Sequence, residues 1–400
     1  MHILVLCVPL STNQYPLHAA FLFRIKLIRS GAIRLPGGDG MRGAWGLRLS
    51  ALLLAACLLW SLCGAPLRAQ EWQGASLAMD RALRQLPQRM PVIWQRWLLW
   101  PAATRAQDSS MRLRVWDEAA GRVSELGLES YAEGVVAAEM PAQYSMEALR
   151  CQAIAARTRA AWSCLALGGN GCATHPSCDV CTSSRCCQGY LSPEEAAARW
   201  GDTAGQYGAR IHQAVASTSG LVLTWDGLPI EMLYHACSGG RTEDAAAVFA
   251  QSHPYLVSVD SPGEEGYSGY LADTRMTRAE AARRLLEAFP GCGLTVDGIP
   301  GQLRLQSTTA SGRISAVLVG SKLVTGTQLR QALGLRSTLC TWDADGDEVV
   351  FHTRGYGHGV GMSQAGAQAM ASAGADYRAI LAHYYPGTAL CSIRLLSGTV

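Results

Sequence analysis

The sequence lacks an excess of charge of either sign, and this absence narrows the possible function classes. Its 34 Lys and Arg residues nearly balance 31 Asp and Glu residues, so the formal net charge of the 400 residues is only +3. The chain has no lysine-rich run and no RNA-binding signature, and we therefore expect no nucleic-acid partner. It also lacks internal repeats. Hydrophobic residues make up 49% of the chain, which is enough for a core and argues against wholesale disorder.

Cysteine, in contrast, is abundant. The chain contains 14 cysteines, many of them between Cys151 and Cys187. In this stretch the spacing His-x5-Cys-x4-Cys-Cys places four side chains of zinc-binding type on one loop, which predicts a structural Zn²⁺ site. The predicted ligands are His175, Cys181, Cys186 and Cys187. Disulfide bonds are the alternative, which export to an oxidising space favours. Cys172 and Cys178 lie on the same loop and leave the ligand assignment open.

The first 109 residues have the pattern of a targeting segment followed by a linker. Residues 41–48 supply positive charge, and residues 49–63 form an uncharged, largely apolar run that is followed by small residues suited to cleavage. This pattern predicts a signal peptide or a membrane anchor over residues 41–70, and hence export. We expect residues 1–40 to lie upstream of the true start or to be disordered, and residues 71–109 to form a linker.

The remaining chain, residues 110–395, is predicted to form one α+β domain. Alternating residues over 113–116 and 123–126 predict two strands around a turn. Helical composition over residues 131–140 ends at Pro141, and a second helix with one buried stripe follows. Further along, strands joined by hairpins interleave irregularly with helices, which favours α+β over a doubly wound sheet. We expect the mixed antiparallel strands and helices to form a cleft, with an inserted helical and loop subdomain.

One acidic side chain, Glu139, lies among small apolar residues near the end of the first predicted helix. Burial in such surroundings raises the pKa of a carboxyl group and keeps it protonated near neutral pH. A protonated carboxyl facing the glycine-rich stretch 355–367, which carries His358, Ser363 and Gln364, suggests chemistry on a glycosidic bond. The structural alternative is that Glu139 caps the helix or forms a salt bridge near its end.

Several segments, taken in order, carry a family resemblance. They are Tyr131–Pro141, Glu147–Thr158, Tyr234–Glu243, Pro254–Val259, Gly355–Ala367 and His383–Thr388. These segments resemble the catalytic domain of the stage II sporulation protein D family, which is shared with the amidase enhancers. The resemblance implies a lytic transglycosylase that cuts the glycan strands of bacterial peptidoglycan, with a cell-wall amidase and membrane proteins as partners. It also implies the zinc-binding loop of some members, with Cys186 where that loop has a second histidine.

The resemblance implies roles for particular side chains as well. Glu139 is expected to protonate the glycosidic oxygen and then to deprotonate the 6-hydroxyl of muramic acid, so that the substrate supplies its own nucleophile. Arg157 is expected to bind a lactyl carboxylate of peptide-free glycan, with a solvated helix face as the alternative. Further substrate-binding residues are predicted at Ser238, Tyr255, His358, Ser363 and Gln364, with core or turn positions as the structural alternative.

Two other functions stay open at this point. The first is a non-catalytic, peptidoglycan-binding enhancer of a cell-wall amidase, for which Glu139 is dispensable. The second is a hydrolytic glycosidase, which requires a second carboxylate such as Glu243 or Asp244 near Glu139. The motif Glu139-Met140-Pro141 together with Arg157 favours the lytic transglycosylase.

Overall fold

The computed structural model describes residues 111–249 and 252–393. The predicted targeting segment and linker lie outside these residues. Helices alternate irregularly with small sheets, and most strand pairs are antiparallel. The predicted α+β class is therefore confirmed. Within the two described ranges, we find no helix with the length and apolar content needed to span a bilayer.

The described chain begins with a hairpin that leads directly into a helix. Strands β1 (Arg112–Asp117) and β2 (Arg122–Gly127) pair antiparallel around the predicted turn. Helix α1 (Leu128–Glu139) starts at the residue after β2. It ends where it does because a proline at position 141 forces the residue before it out of the helical region, and Met140 is accordingly extended (φ −126°, ψ 137°).

Helix α2 (Met146–Ser163) is the central helix of this part of the fold. The predicted stripe of Leu149, Ala153, Ala156 and Ala160 is fully buried, but Ile154 and the alanine that follows it are fully buried too. This happens because neighbouring helices and strands pack on α2 from several sides, and its many alanines allow close approach. The prediction of a single buried stripe is thus too narrow, since α2 is a core helix.

Short elements then surround α2. They are β3 (Val180–Cys181), α3 (Pro193–Trp200), α4 (Ala204–Ala216), β4 (Leu221–Trp225), β5 (Leu228–Pro229), β6 (Tyr234–His235) and α5 (Ala245–Val248). Strand β3 pairs parallel with β1, which fixes the cysteine-rich loop against the first hairpin. Helix α3 starts with a capping box in which the Ser192 hydroxyl and the Glu195 carboxylate each accept a hydrogen bond from the other residue's backbone N–H.

A second hydrophobic core lies between residues 276 and 351. Its elements are β7 (Leu271–Thr277), α6 (Arg278–Ala288), β8 (Leu303–Thr308), β9 (Ile314–Val319), β10 (Lys322–Thr325), α7 (Gly326–Leu333), β11 (Cys340–Asp345) and β12 (Glu348–Arg354). Two three-stranded antiparallel sheets form here, β8–β9–β10 and β11–β12–β7. The helical and loop insertion expected from the sequence stays a prediction.

The last elements return to the first part of the fold. They are β13 (Met362–Ser363), α8 (Gln364–Ser372), α9 (Tyr377–Tyr384) and β14 (Ala389–Ser392). Strand β14 pairs antiparallel with β4, and β13 pairs parallel with β6. The second pairing places the beginning of α8 next to the residues that follow β6, which is where the candidate site lies.

Candidate active site

A pocket of about 360 Å³ lies beside the C-terminal end of α1. Five parts of the chain line it: the end of α1 with the turn after it, the end of α3, the residue after β6, a residue before β7, and the start of α8. The lining residues are Ala137, Ala138, Glu139, Met140, Pro141, Ala142, Gln143, Tyr144, Arg199, Trp200, Ala236, Tyr267 and Gln364. Two of the predicted site residues, Glu139 and Gln364, therefore meet here, while a wider cleft stays a prediction.

Glu139 is the only carboxylic acid among these lining residues. It is the last residue of α1, and its Oε1 accepts a hydrogen bond of 2.6 Å from the backbone N–H of Gly189. Burial raises the pKa of Glu139, and the Gly189 amide lowers it by less. The carboxyl group therefore keeps its proton to a higher pH than an exposed glutamate does. Within the described residues, Glu139 has no salt bridge, which leaves that part of the structural alternative without support.

The other lining side chains provide aromatic surface and one cation. Tyr144, Trp200 and Tyr267 contribute rings whose flat apolar faces suit the faces of sugars. The exposed Arg199 lies 3.5 Å, through its Nη1, from the carbonyl oxygen of Ala138. In the part of the chain that the structure describes, Arg199 has no carboxylate partner. Its guanidinium is therefore available to an anionic ligand.

Gln364 enters the pocket as the first residue of α8. Its side-chain Nε2 donates a hydrogen bond of 3.2 Å to Oε1 of Gln152, a fully buried residue of α2. This bond fixes the orientation of the Gln364 amide. It leaves the Gln364 carbonyl oxygen as an acceptor without a donor among the described residues, which suits an N–H group on a ligand.

Arg157, predicted to bind substrate, does not line this pocket. Its guanidinium is fully buried and ion-paired with Glu129, with 2.6 Å between Nη2 and Oε2. It also donates hydrogen bonds to the carbonyl oxygens of Val215 and Leu221. In this structure Arg157 ties α2 to α1 and β4, and its contact with substrate stays a prediction. Helical spacing shows which residues share a face, but it does not show whether another part of the chain covers that face.

Ser238 and Ser363 are also fully buried and take part in a polar network around Glu264. The Ser238 hydroxyl donates to the Glu264 carboxylate at 2.9 Å, and the backbone N–H of Gly239 donates to it at 2.7 Å. Ser363 caps α8 by accepting from the N–H of Gly366. Burial opposes ionisation of Glu264, but the donors outweigh it and lower the pKa. The two serines thus hold the turn after β6, and their contact with substrate stays a prediction.

Tyr255 and His358 lie outside the pocket lining as well. Tyr255 is buried, and its hydroxyl bonds the backbone N–H of Glu231 and the ring of His253. His358 accepts a hydrogen bond from the N–H of Val360. Burial, followed by the charge of Arg330, lowers the pKa of His358 to about 4. Both residues therefore have partners within the protein, and their contacts with a sugar stay predictions.

The glycine-rich stretch 355–367 is packed against the chain and does not form an open cleft wall. Gly361 has a positive φ of 72°, and a Cβ added there would lie 2.0 Å from the carbonyl oxygen of Leu233. At Gly359 (φ 85°) a Cβ would lie 2.7 Å from the guanidinium of Arg313. The glycines serve close packing, and only Gln364 of this stretch lines the pocket.

The cysteine-rich loop holds a cluster of four thiols, three of which belong to the predicted ligand set. The sulfur atoms of Cys172, Cys181, Cys186 and Cys187 all lie within 4.8 Å of one another. Four sulfurs bound tetrahedrally to zinc at 2.3 Å lie about 3.8 Å apart, so the cluster suits one metal ion. His175 instead stacks on Trp116, with ring centroids 4.2 Å apart. The cluster thus contains Cys172 and leaves out His175, and among the described cysteines none is in a disulfide.

Sequence reasoning missed several residues of this site. Arg199, Trp200 and Tyr267 come from segments that are distant in sequence from Glu139, and no local pattern marks them. Gly189 was also missed, although a signal exists: it follows the paired cysteines by two residues and has no side chain to block a close approach. Its contact with Glu139 depends on the fold of the loop.

A pocket with a single desolvated carboxylic acid has the chemical group that general acid–base catalysis requires. The family model described as stage II sporulation protein matches residues 117–225. Stage II sporulation protein D of Bacillus subtilis (strain 168) is 35% identical over 280 residues, which cover 70% of this chain and 79% of the relative. The protein of the same name from Bacillus amyloliquefaciens is 34% identical, with 70% and 79% covered.

A more distant relative has a different name. The amidase enhancer of Bacillus subtilis (strain 168) is 28% identical over 309 residues, which cover 65% of this chain and 40% of the relative. The coverage and identity of the first two relatives settle the classification. The chain belongs to the stage II sporulation protein D family, as the sequence resemblance predicted.

Proposed function

We propose that this protein is an exported lytic transglycosylase that cleaves peptidoglycan glycan strands between N-acetylmuramic acid and N-acetylglucosamine, in spore formation or wall remodelling. The observation that carries the proposal is Glu139, a carboxyl group with a raised pKa that is the only acid among the pocket-lining residues. A single acid of this kind fits a reaction in which the substrate provides the nucleophile. Export rests on the predicted targeting segment over residues 41–70.

The reaction needs Glu139 twice. In the first step the protonated carboxyl donates its proton to the glycosidic oxygen, and the bond between that oxygen and C1 of the muramic acid breaks with both electrons going to the oxygen. In the second step the carboxylate takes the proton of the C6 hydroxyl, whose oxygen forms a bond to C1 and closes the 1,6-anhydro ring. Atoms and protons balance, and Glu139 ends as it began.

Hydrolysis is less well supported because its second carboxylate is absent from the pocket lining. Glu243 is buried, and its Oε2 accepts hydrogen bonds from the hydroxyls of Thr309 and Ser311. Asp244 caps α5 by accepting from the N–H of Ala246. Neither acid is among the lining residues, so neither is placed to activate a water or to attack a sugar bound beside Glu139.

The lining side chains suggest how such a substrate is held. Tyr144, Trp200 and Tyr267 supply surfaces for sugar rings, and the Gln364 carbonyl oxygen supplies an acceptor for an acetamido N–H. Arg199 is the cation of the pocket, and with Glu139 protonated it leaves the lining positively charged. A lactyl carboxylate of peptide-free glycan is the anionic group that such an arginine would bind, in the role expected earlier of Arg157.

We further propose that the four-thiol cluster holds a structural Zn²⁺. The ligands would be Cys172, Cys181, Cys186 and Cys187, a closed set of four sulfurs of the kind found in structural zinc sites. The ion would cross-link the loop and take no part in the sugar chemistry.

Product analysis tests the proposed reaction. The purified protein and its Glu139→Gln variant are incubated with peptide-free glycan strands, and the products are identified by mass spectrometry. The proposal predicts 1,6-anhydro-muramic acid ends from the wild type and none from the variant, since glutamine cannot donate the catalytic proton. Reducing ends from the wild type would indicate hydrolysis and would overturn the assignment.

A second function is favoured by the amidase enhancer among the relatives. In that case the chain binds peptidoglycan and stimulates a cell-wall amidase without cutting glycan itself. The same two proteins distinguish the functions when amidase activity is measured in their presence. Stimulation that survives Glu139→Gln, with no anhydro product from either protein, would establish the enhancer and exclude the transglycosylase.

A further inference from the structure

We propose that the backbone amide of Gly189 is a positioning group for Glu139, and that it decides which carboxyl oxygen carries the catalytic proton. This inference rests on the proposed function and adds a residue to its machinery. The Gly189 N–H is a donor and holds Oε1 as an acceptor at 2.6 Å. In a protonated carboxyl group the carbonyl oxygen is a better acceptor than the hydroxyl oxygen, so the amide holds Oε1 as the carbonyl oxygen and the proton resides on Oε2.

As a consequence, both proton transfers of the proposed reaction use the same oxygen of Glu139. Oε2 carries the proton that passes to the glycosidic oxygen, and Oε2 is then the atom that removes the proton of the C6 hydroxyl. Oε1 keeps its hydrogen bond to Gly189 through both steps, which prevents the carboxyl group from rotating between them. The amide also offsets part of the negative charge that develops on the carboxyl group when the proton leaves.

The segment Gln188–Leu191 is held firmly enough for this task. The Gln188 side chain is buried, accepts a hydrogen bond from the Tyr234 hydroxyl at 3.0 Å and donates to the Ala156 carbonyl oxygen at 3.3 Å. Leu191 N–H donates to the Gly134 carbonyl oxygen of α1 at 3.1 Å. Gly189 thus lies between two anchors, one on the core and one on the helix that carries Glu139.

Gly134 and the neighbouring tyrosines strengthen the second anchor. The ring of Tyr190 stacks on Tyr131 of α1, with centroids 5.7 Å apart and an interplanar angle of 10°. A Cβ at Gly134 would lie 2.1 Å from the Tyr190 ring, so a glycine there lets the segment approach α1. The segment and the end of α1 therefore form one rigid unit around the acid.

The space at Gly189 provides a specific test. A Cβ at this position would lie 2.8 Å from Oε1 of Glu139, which is closer than real Cβ contacts come. The backbone of Gly189 is not left-handed, so alanine is conformationally allowed. The atom that must move is the end of a flexible side chain. Gly189→Ala is therefore expected to displace the acid while the protein stays folded.

The experiment compares Gly189→Ala with the wild type and with Gly205→Ala, whose Cβ meets nothing within 4 Å on helix α4. We expect kcat on peptide-free glycan to fall about 100-fold for Gly189→Ala, the loss typical of a misplaced catalytic group, with KM unchanged. Gly205→Ala should match the wild type. Wild-type kcat in Gly189→Ala would overturn the inference, whereas a wild type without anhydro products would overturn the proposed function.

The hydrogen bond between Gly189 and Glu139 can also be measured directly, without the Gly189→Ala variant. The amide proton of Gly189 is followed by NMR in the full chain labelled with ¹⁵N-glycine. A bond to a carboxyl group predicts a strongly downfield signal that moves with pH in the wild type and stays still in Glu139→Gln. A signal that moves equally in both proteins, or in neither, would show that the amide does not bind Glu139.

Discussion

At the scale of single residues, the decisive quantity is the proton affinity of Glu139. Burial makes its charged form costly, and the one amide donor compensates only partly, so the folded protein binds this proton more tightly than the unfolded chain does. An acid catalyst gains from that, because it must be protonated when the substrate arrives. The same burial destabilises the fold once the group ionises, which is the usual conflict between activity and stability at a catalytic site.

This conflict leads to a prediction about Glu139→Gln. Because the folded pKa of Glu139 lies above the ordinary value of 4.5, stability is lost as pH rises from that value through the folded pKa. The variant lacks this loss, so its free energy of unfolding should exceed that of the wild type at pH 8 and approach it at pH 4. Urea denaturation of both proteins at the two pH values measures the difference. A variant that is less stable than the wild type at pH 8 would contradict the prediction.

Activity should respond to pH in the direction set by the same group. The free enzyme requires protonated Glu139, so kcat/KM is expected to fall tenfold for each pH unit above the folded pKa. The fall should begin at a higher pH than an exposed carboxyl group would give, because burial raises this pKa. A pH profile of anhydro-product formation measures this fall in kcat/KM. A rate that keeps rising with pH would argue against Glu139 as the acid.

At the scale of elements, Arg157 and Glu129 join α2 to α1 inside the core. Replacing Glu129 by alanine leaves a buried guanidinium without its countercharge, which typically costs about 3–5 kcal/mol of unfolding free energy. The exposed pair Arg112–Glu125 is the matched control, and Glu125→Ala should cost less than about 1 kcal/mol. Chemical denaturation measures both. Equal costs, or an Arg157 variant that stays fully stable and loses only substrate affinity, would support the substrate-binding interpretation.

The cysteine-rich loop gives the second prediction at this scale. If the loop binds zinc through four sulfurs, Cys172→Ser should lose bound zinc and lower the melting temperature, because the ion stabilises the folded loop. His175→Ala should keep its zinc, since His175 stacks on Trp116 outside the cluster. Metal content by mass spectrometry, measured with melting curves before and after chelation, separates the two variants. Zinc lost in His175→Ala and kept in Cys172→Ser would support the ligand set predicted from sequence.

At the scale of the whole molecule, the features predictable from sequence were those with local causes. Pro141 ends α1 through its effect on Met140, and the hairpin of β1 and β2 follows from alternation around a turn. The raised pKa of Glu139 also follows from its small apolar neighbours. The membership of the four-thiol cluster and the neighbours of Arg157, in contrast, depend on contacts between separate segments of the chain. Periodicity cannot show that Cys172 approaches Cys186 or that Arg157 is covered.

The stability of the whole fold at acid pH depends on two histidines, which lie where the glycine-rich stretch meets β6. The rings of His235 and His358 lie 5.6 Å apart. Burial, with the nearby charges of Arg313 and Arg330, lowers the pKa of both, to about 4 for His358. In the unfolded chain a histidine titrates near 6.5. Between these values the unfolded state binds more protons, so acid favours unfolding.

We therefore expect the free energy of unfolding contributed by His358 to be fully present above about pH 6.5 and to be lost as pH falls towards 4. The variant His358→Asn keeps an acceptor at the position of Nδ1 for the Val360 N–H but cannot take up a proton, so its unfolding free energy should change less between pH 7 and pH 4.5. His235 remains in the variant, and some acid sensitivity should persist with it. Urea denaturation of both proteins at the two pH values measures the change. An identical loss in the two proteins would contradict the prediction, because it would mean that the protonation state of His358 does not differ between the folded and unfolded chains.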